Sequence, residues 1–159
     1  MVNLFDTLAS RVEADGGRIA IADGEGTTYR QLFDRACRLG RELQFIGRSE
    51  SEPIGILADH GTPMLSGLLG VWAAGRIAVP LDKRWKQSVI EERLAHSEAT
   101  VLVCDDDASA DIARRVRAVQ QIVLLDGCDS GSAAPITPFN QPHAVIFTTS
   151  GSTGRPKGV

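Results

Sequence analysis

An α/β fold with a mostly parallel sheet flanked by helices is what this sequence predicts, on three observations. Short apolar runs alternate with longer stretches of helical periodicity along nearly the whole chain, as helix-covered parallel sheets require. Several of those runs, such as Ile54-Gly55-Ile56-Leu57-Ala58, are apolar on consecutive positions and therefore suit strands buried on both faces. The composition, 43% hydrophobic and 23% charged over 159 residues, is that of an ordinary globular chain. A domain of this length buries roughly two-thirds of its unfolded surface, enough for a core.

The elements follow in order. Leu4, Phe5, Leu8 and Val12 recur at helical spacing, with Asp6 and Thr7 near the start and Gly16-Gly17 as the stop. Residues 18–29 read as a hairpin: a strand at 18–22, a turn at Asp23-Gly24-Glu25-Gly26 and a second strand at Thr27-Thr28-Tyr29. Thr28 is alternatively the cap of the next helix, whose apolar stripe is Leu32, Phe33, Ala36, Leu39, Leu43 and Phe45. After the strand at 54–58, Thr62-Pro63 opens a helix as capping hydroxyl and first-turn proline. Met64, Leu65, Leu68, Leu69 and Trp72 form its core face and Gly75 ends it. Strands are expected at 77–81, 100–104, 121–125 and 144–147, and helices at 87–97 and 108–119. The stretch from Asp126 to Pro142, rich in Gly, Ser, Ala and Pro, reads as a loop.

Charge and cysteine content exclude several functions. A net charge of −3, from 17 basic and 20 acidic residues, offers no broad nucleic-acid face. Arg114, Arg115 and Arg117 form a small basic cluster, without a stacking platform beside it. Cys37, Cys104 and Cys128 lack metal-ligand spacing and read as free thiols of a reducing compartment. His60, His96 and His143 are equally scattered. Neither a signal peptide nor a membrane-spanning run is evident, so the cytoplasm is the expected location.

The chemistry lies in the last segment, Thr149-Ser150-Gly151-Ser152-Thr153-Gly154-Arg155-Pro156-Lys157-Gly158. It follows an apolar strand, where ligand loops of α/β sheets sit. Glycines let the backbone approach an anion closely and turn N–H groups toward it. Four hydroxyls add donors, and Lys157 adds a positive charge suited to phosphate oxygens. The pattern is a polyphosphate cradle. It is not a Walker A loop, because Arg155-Pro156 separates Gly154 from Lys157, and the Gly-x-Gly-x-x-Gly spacing is also missing. A flexible Ser/Gly linker shares the composition, but the preceding strand, the proline and the lysine argue against it.

Residues 150–158 resemble the signature loop of the adenylate-forming superfamily. That group includes acyl-CoA synthetases, adenylation domains of nonribosomal peptide synthetases, D-alanine–carrier-protein ligases and firefly-type luciferases. Two upstream elements resemble the same family in the same order. Thr28-Tyr29-Arg30-Gln31-Leu32 is similar to its Thr-Tyr-x-Glu-Leu element, with Gln31 in place of Glu. Ala74-Gly75-Arg76-Ile77-Ala78-Val79-Pro80-Leu81-Asp82 is similar to its Ala-Gly-x-x-x-Val-Pro-Leu/Ile-Asp element. Thr148 departs from the aromatic residue that many relatives carry before Thr-Ser-Gly.

The resemblance implies that residues 1–159 are the N-terminal portion of an AMP-binding domain. It implies a loop that holds ATP phosphates with Mg²⁺ while a carboxylic acid attacks the α-phosphorus, giving an acyl-adenylate and pyrophosphate. Thr149, Ser150, Ser152 and Thr153 would be donors, Gly151 and Gly154 would permit the wrap, and Lys157 would neutralise the leaving pyrophosphate. The acyl acceptor would be coenzyme A or a carrier-protein phosphopantetheine, and Ser152 leans toward the carrier protein. The family's metal-associated acid and catalytic lysine lie beyond the loop, so a chain ending at Val159 is expected to be inactive alone. The alternative is a naturally short, non-catalytic paralogue used as an interaction module. Self-association through uncovered sheet surface and a mobile loop after Thr148 are further expectations.

Overall fold

The computed structural model describes residues 4–46, 52–125, 145–149 and 157–158. The first helix, α1 (Leu4–Asp15), begins ahead of Asp6 and stops before Gly16. It buries Phe5, Leu8 and Val12. A short hairpin follows, β1 (Ile19–Ile21) pairing antiparallel with β2 (Thr27–Thr28). Both readings of Thr28 hold, because it ends β2 and also caps α2 (Tyr29–Gln44). Its hydroxyl accepts from the Gln31 amide, and its own amide donates to Gln31 Oε1 at 2.9 Å, a reciprocal capping box. At the other end of α2, the buried Arg76 guanidinium donates to the Ile46 carbonyl at 2.9 Å and more weakly to Leu43. It thereby satisfies carbonyls that a helix end leaves unpaired.

β3 (Ile54–Leu57) runs into α3 (Thr62–Ala73), then β4 (Ala78–Leu81), α4 (Gln87–Ser97), β5 (Val101–Cys104), α5 (Asp107–Arg114) and β6 (Gln121–Leu124). The four strands form one parallel sheet in the order β4-β3-β5-β6. Side chains alternate between its faces. Ile54, Ile56, Val101, Val103 and Val123 share a core with Leu39 and Leu43 of α2 and Val71 of α3. Leu57, Val79, Leu81, Leu102 and Cys104 face Ile90 and Leu94 of α4 and Ala110 and Ala113 of α5. The layers are thus helix, sheet, helix, as the alternating pattern predicts.

α2 and α3 approach closely because small residues meet. A Cβ on Gly40 would fall 2.7 Å from Ala73 Cβ and 3.2 Å from the Gly70 carbonyl oxygen. α1 lies across the pair, with the Phe5 and Phe33 rings stacked at 5.1 Å between centroids.

The structure corrects three boundaries. The N-cap of α3 is Gly61 at φ 91°, a left-handed position that suits glycine, so Thr62 is the first helical residue rather than the cap. The helix expected at 108–119 stops at Arg114, and residues 115–119 form turns. The strand expected at 144–147 is reduced to a parallel bridge between Val145 and Ala78, extended by the Ile146 amide donating to the Ala78 carbonyl at 2.8 Å. That bridge places the segment on the outer side of β4. Strand pairing resumes in β7 (Thr148–Thr149), antiparallel to β8 (Lys157–Gly158). The loop expected at 126–142, with Cys128, lies outside the described residues.

Candidate functional site

The segment from Val145 runs alongside β4 toward the carboxyl edge of the sheet, the edge at which α/β folds bind ligands. There Thr148 pairs with Gly158 and Thr149 with Lys157. Two of the predicted site residues, Thr149 and Lys157, are therefore opposite each other, eight positions apart in sequence. The other five, Ser150, Gly151, Ser152, Thr153 and Gly154, lie outside the described residues. What the backbone establishes is that the two ends of the phosphate-loop motif come together.

The same edge carries a charge cluster that local sequence reading missed. Asp59 follows β3, Lys83 follows β4, and Asp105 and Asp106 follow β5. Lys83 Nζ lies 2.9 Å from Asp59 Oδ2, 3.1 Å from both Asp105 carboxylate oxygens and 3.1 Å from Asp106 Oδ2. Asp105 is the buried member, 8% exposed at its side chain against 70% for Asp59. It also accepts from the Asp59 amide at 2.8 Å and the Ser109 hydroxyl at 2.9 Å. Burial opposes the charge on Lys83, but the hydrogen bonds it donates to Asp59, Asp105 and Asp106 outweigh it and hold the ammonium above its ordinary pKa.

Asp59, Asp105 and Asp106 bring carboxylate oxygens close enough together to invite a metal. A resident cation does not fit them, because the Lys83 ammonium already occupies the centre of the three. The arrangement ties three strand ends together. One signal of it was present in the sequence: each of these charged residues comes within two positions of an apolar strand.

Asp106 has a second duty as N-cap of α5. Its Oδ1 accepts from the Ser109 amide at 2.7 Å, and this bond and the Ser109 hydroxyl draw its pKa down to about 2. Asp82, at the end of β4, is likewise drawn to about 2 by the Arg84 guanidinium and amide. Asp23, from the turn of the early hairpin, reaches the start of α3. Its carboxylate accepts from the Thr62 amide at 2.7 Å and the Thr62 hydroxyl at 2.8 Å, which lowers its pKa. The role expected of Thr62 is thus performed by an aspartate far away in sequence.

The described thiols suit the free-cysteine reading. Burial pushes Cys37 up to about 11 and Cys104 up to about 12, so neither is a ready nucleophile. No helix among the described residues is long and apolar enough to cross a membrane.

A helix-covered parallel sheet, with the two ends of a Gly/Ser/Thr/Lys motif paired beyond it, is an α/β architecture of the kind that binds ligands at the carboxyl ends of its strands. The comparisons make the class definite. Residues 8–159 match the family described as AMP-binding enzyme, and the chain belongs to that family. It is 34% identical over 134 residues to tyrocidine synthase 2 of Brevibacillus parabrevis, covering 83% of this chain and 4% of that protein. It is 33% identical over 154 residues to gramicidin S synthase 2 of Aneurinibacillus migulanus, covering 94% of this chain and 3% of that protein. Among solved structures, VinN with 3-methylaspartate superposes with a TM-score of 0.83 at 24% identity, covering 99% of this chain and 46% of that one. The nonribosomal peptide synthetase FmoA3 in its AMPPNP-bound form superposes with a TM-score of 0.84 at 23% identity, covering 99% and 17%. These two establish the shared fold. The chain therefore spans less than half the length of each of these proteins.

Proposed function

We propose that this chain supplies the ATP phosphate-binding part of an enzyme that activates a carboxylic acid as its acyl-adenylate. The observation that carries the reading is the pairing of Thr149 with Lys157 at the carboxyl edge, in a chain of the AMP-binding family. This pairing sets the backbone of the first hydroxyl residue of the motif opposite that of its lysine, in a two-stranded sheet of their own.

In this reading Thr149, Ser150, Ser152 and Thr153 donate to the β- and γ-phosphates, and Gly151 and Gly154 let the backbone approach them. Mg²⁺ arrives with ATP as part of the substrate, since the described carboxylate cluster is held by Lys83. A carboxylate oxygen of the acid attacks the α-phosphorus, and the bond to the bridging oxygen of pyrophosphate breaks, that oxygen keeping the electron pair. Lys157 stabilises the negative charge that develops on the departing pyrophosphate. Fixed donors and a fixed cation act here by positioning and by charge stabilisation.

The acyl group then passes to a thiol, with sulfur displacing AMP at the acyl carbon and the thiol proton leaving to solvent or base. The relatives that make tyrocidine and gramicidin S favour a carrier-protein phosphopantetheine over coenzyme A, in line with Ser152 in the loop. The 159 residues by themselves are proposed not to catalyse adenylation. ATP consumption by them above an inactive control contradicts that.

Carboxylate-dependent ATP–pyrophosphate exchange by the whole protein, screened over amino, aryl and fatty acids, tests the main reading. Exchange with one class of acid is expected. Absence of exchange with every class, from folded protein that binds ATP, overturns it.

A further inference from the structure

A small cavity of about 40 Å³ lies under the N-terminal half of α3, lined by Arg35 of α2, Pro63 and Ser66 of α3, Asp105 after β5 and Leu125 after β6. The proposed adenylation chemistry makes no use of it. Ser66 is 2% exposed, and its hydroxyl has no hydrogen-bond partner. Serine inside a helix commonly donates to the carbonyl four residues back, here that of Thr62, but Ser66 does not. A buried hydroxyl left without a partner is destabilising, and native proteins rarely tolerate one.

The other polar walls supply what Ser66 lacks. Asp105 accepts from three donors: Lys83, the Ser109 hydroxyl and the Asp59 amide. Lys83 straddles both carboxylate oxygens while also reaching Asp59 and Asp106, so its three protons serve four contacts and the Asp105 fork shares one of them. Arg35 is the remaining polar residue of the lining. Pro63 and Leu125 close the remainder with apolar surface.

We propose that this cavity is a built hydration site, holding ordered water that bridges Ser66 Oγ, the Asp105 carboxylate and the Arg35 guanidinium. A single water needs roughly 10–15 Å³ of such volume and two to four polar partners; the volume exceeds that, and Ser66, Asp105 and Arg35 are the polar residues of the lining. The volume admits water. Through the water, α2 and α3 are joined to the end of β5, beside the Lys83 cluster. The site stands independently of the adenylation reading.

A crystal structure of the whole protein, at a resolution that shows ordered solvent, tests this directly. A solvent peak within about 3 Å of both Ser66 Oγ and an Asp105 oxygen is expected. Oxygen-17 relaxation dispersion then counts long-lived waters in wild type and in Ser66→Val, whose methyl groups fill the space. The variant is expected to have at least one fewer. An empty cavity, a protein side chain in it, or a Ser66 hydroxyl bonded directly to a helix carbonyl overturns the proposal. The wild-type structure decides the matter even where the variant fails to fold.

Discussion

The centre of the sheet and its outer margin beside β4 are built differently. In β3 and β5 every residue is buried, and each strand is paired along its length on both sides. The segment at 145–147 meets β4 through one bridge, and Phe147 is 59% exposed. Burial and pairing are therefore concentrated in strands that carry no proposed chemistry, while Thr149 follows a margin that is lightly paired among the described residues. Sub-global opening at such a margin costs less than unfolding the core. The separation means that substitutions in the two regions should have opposite signatures.

The largest expected effect is in the centre. Leu102→Ala empties a fully buried position that faces α4, and should cost about 2–5 kcal/mol in denaturant unfolding. Phe147→Ala, made alongside, should change stability by only about 0.5 kcal/mol or less. Equal costs at the two sites would break the comparison.

Next comes the charge cluster at the carboxyl edge. Lys83→Met leaves the buried Asp105 facing Asp59 and Asp106 without their shared cation. The expected loss is on the order of 2 kcal/mol, between the values for exposed and buried ion pairs. An unchanged midpoint of unfolding would show that the cluster does not hold the strand ends. Thr28→Ala, which breaks the α2 capping box, should cost about 1 kcal/mol by the same measurement.

The smallest effect depends on acid. The folded pKa of Asp106, about 2, lies below the unfolded value of about 3.9. Its contribution is therefore full above about pH 4 and is lost as pH falls through about 2. Asp106→Asn should flatten the dependence of stability on pH across that window and leave its shape near neutrality unchanged. An unaltered slope in acid would assign the acid sensitivity to other carboxylates.

Much of this architecture was legible because it is local. Apolar runs mark β3, β4 and β5, and Gly16-Gly17 and Gly75 mark helix ends. The apolar stripes were right only in part, since Leu65 of α3 is 41% exposed while Ser66, Gly67, Gly70 and Val71 are buried, and Phe45, just past α2, is 90% exposed. The motif at 149–158 was equally plain, since its residue types are consecutive. The Lys83 cluster was not, because it depends on the strand order β4-β3-β5; the sequence shows charges just after apolar runs, but not that residues 59, 83 and 105 meet. The start of α3 was displaced by one residue for a related reason. A threonine before a proline reads as a cap, but Asp23 arrives from the hairpin turn and Gly61 supplies the left-handed backbone. The strand at 144–147 was overestimated: among the described residues the segment has one bridge, Val145 to Ala78, and no second ladder.

Lys157→Ala in the whole protein tests the central claim most directly, with ATP–pyrophosphate exchange and thermal unfolding measured on the same preparation. The account predicts exchange reduced by about 10²-fold or more, with the unfolding midpoint essentially unchanged. Undiminished exchange, or a loss of activity that merely follows a loss of folded protein, would contradict it.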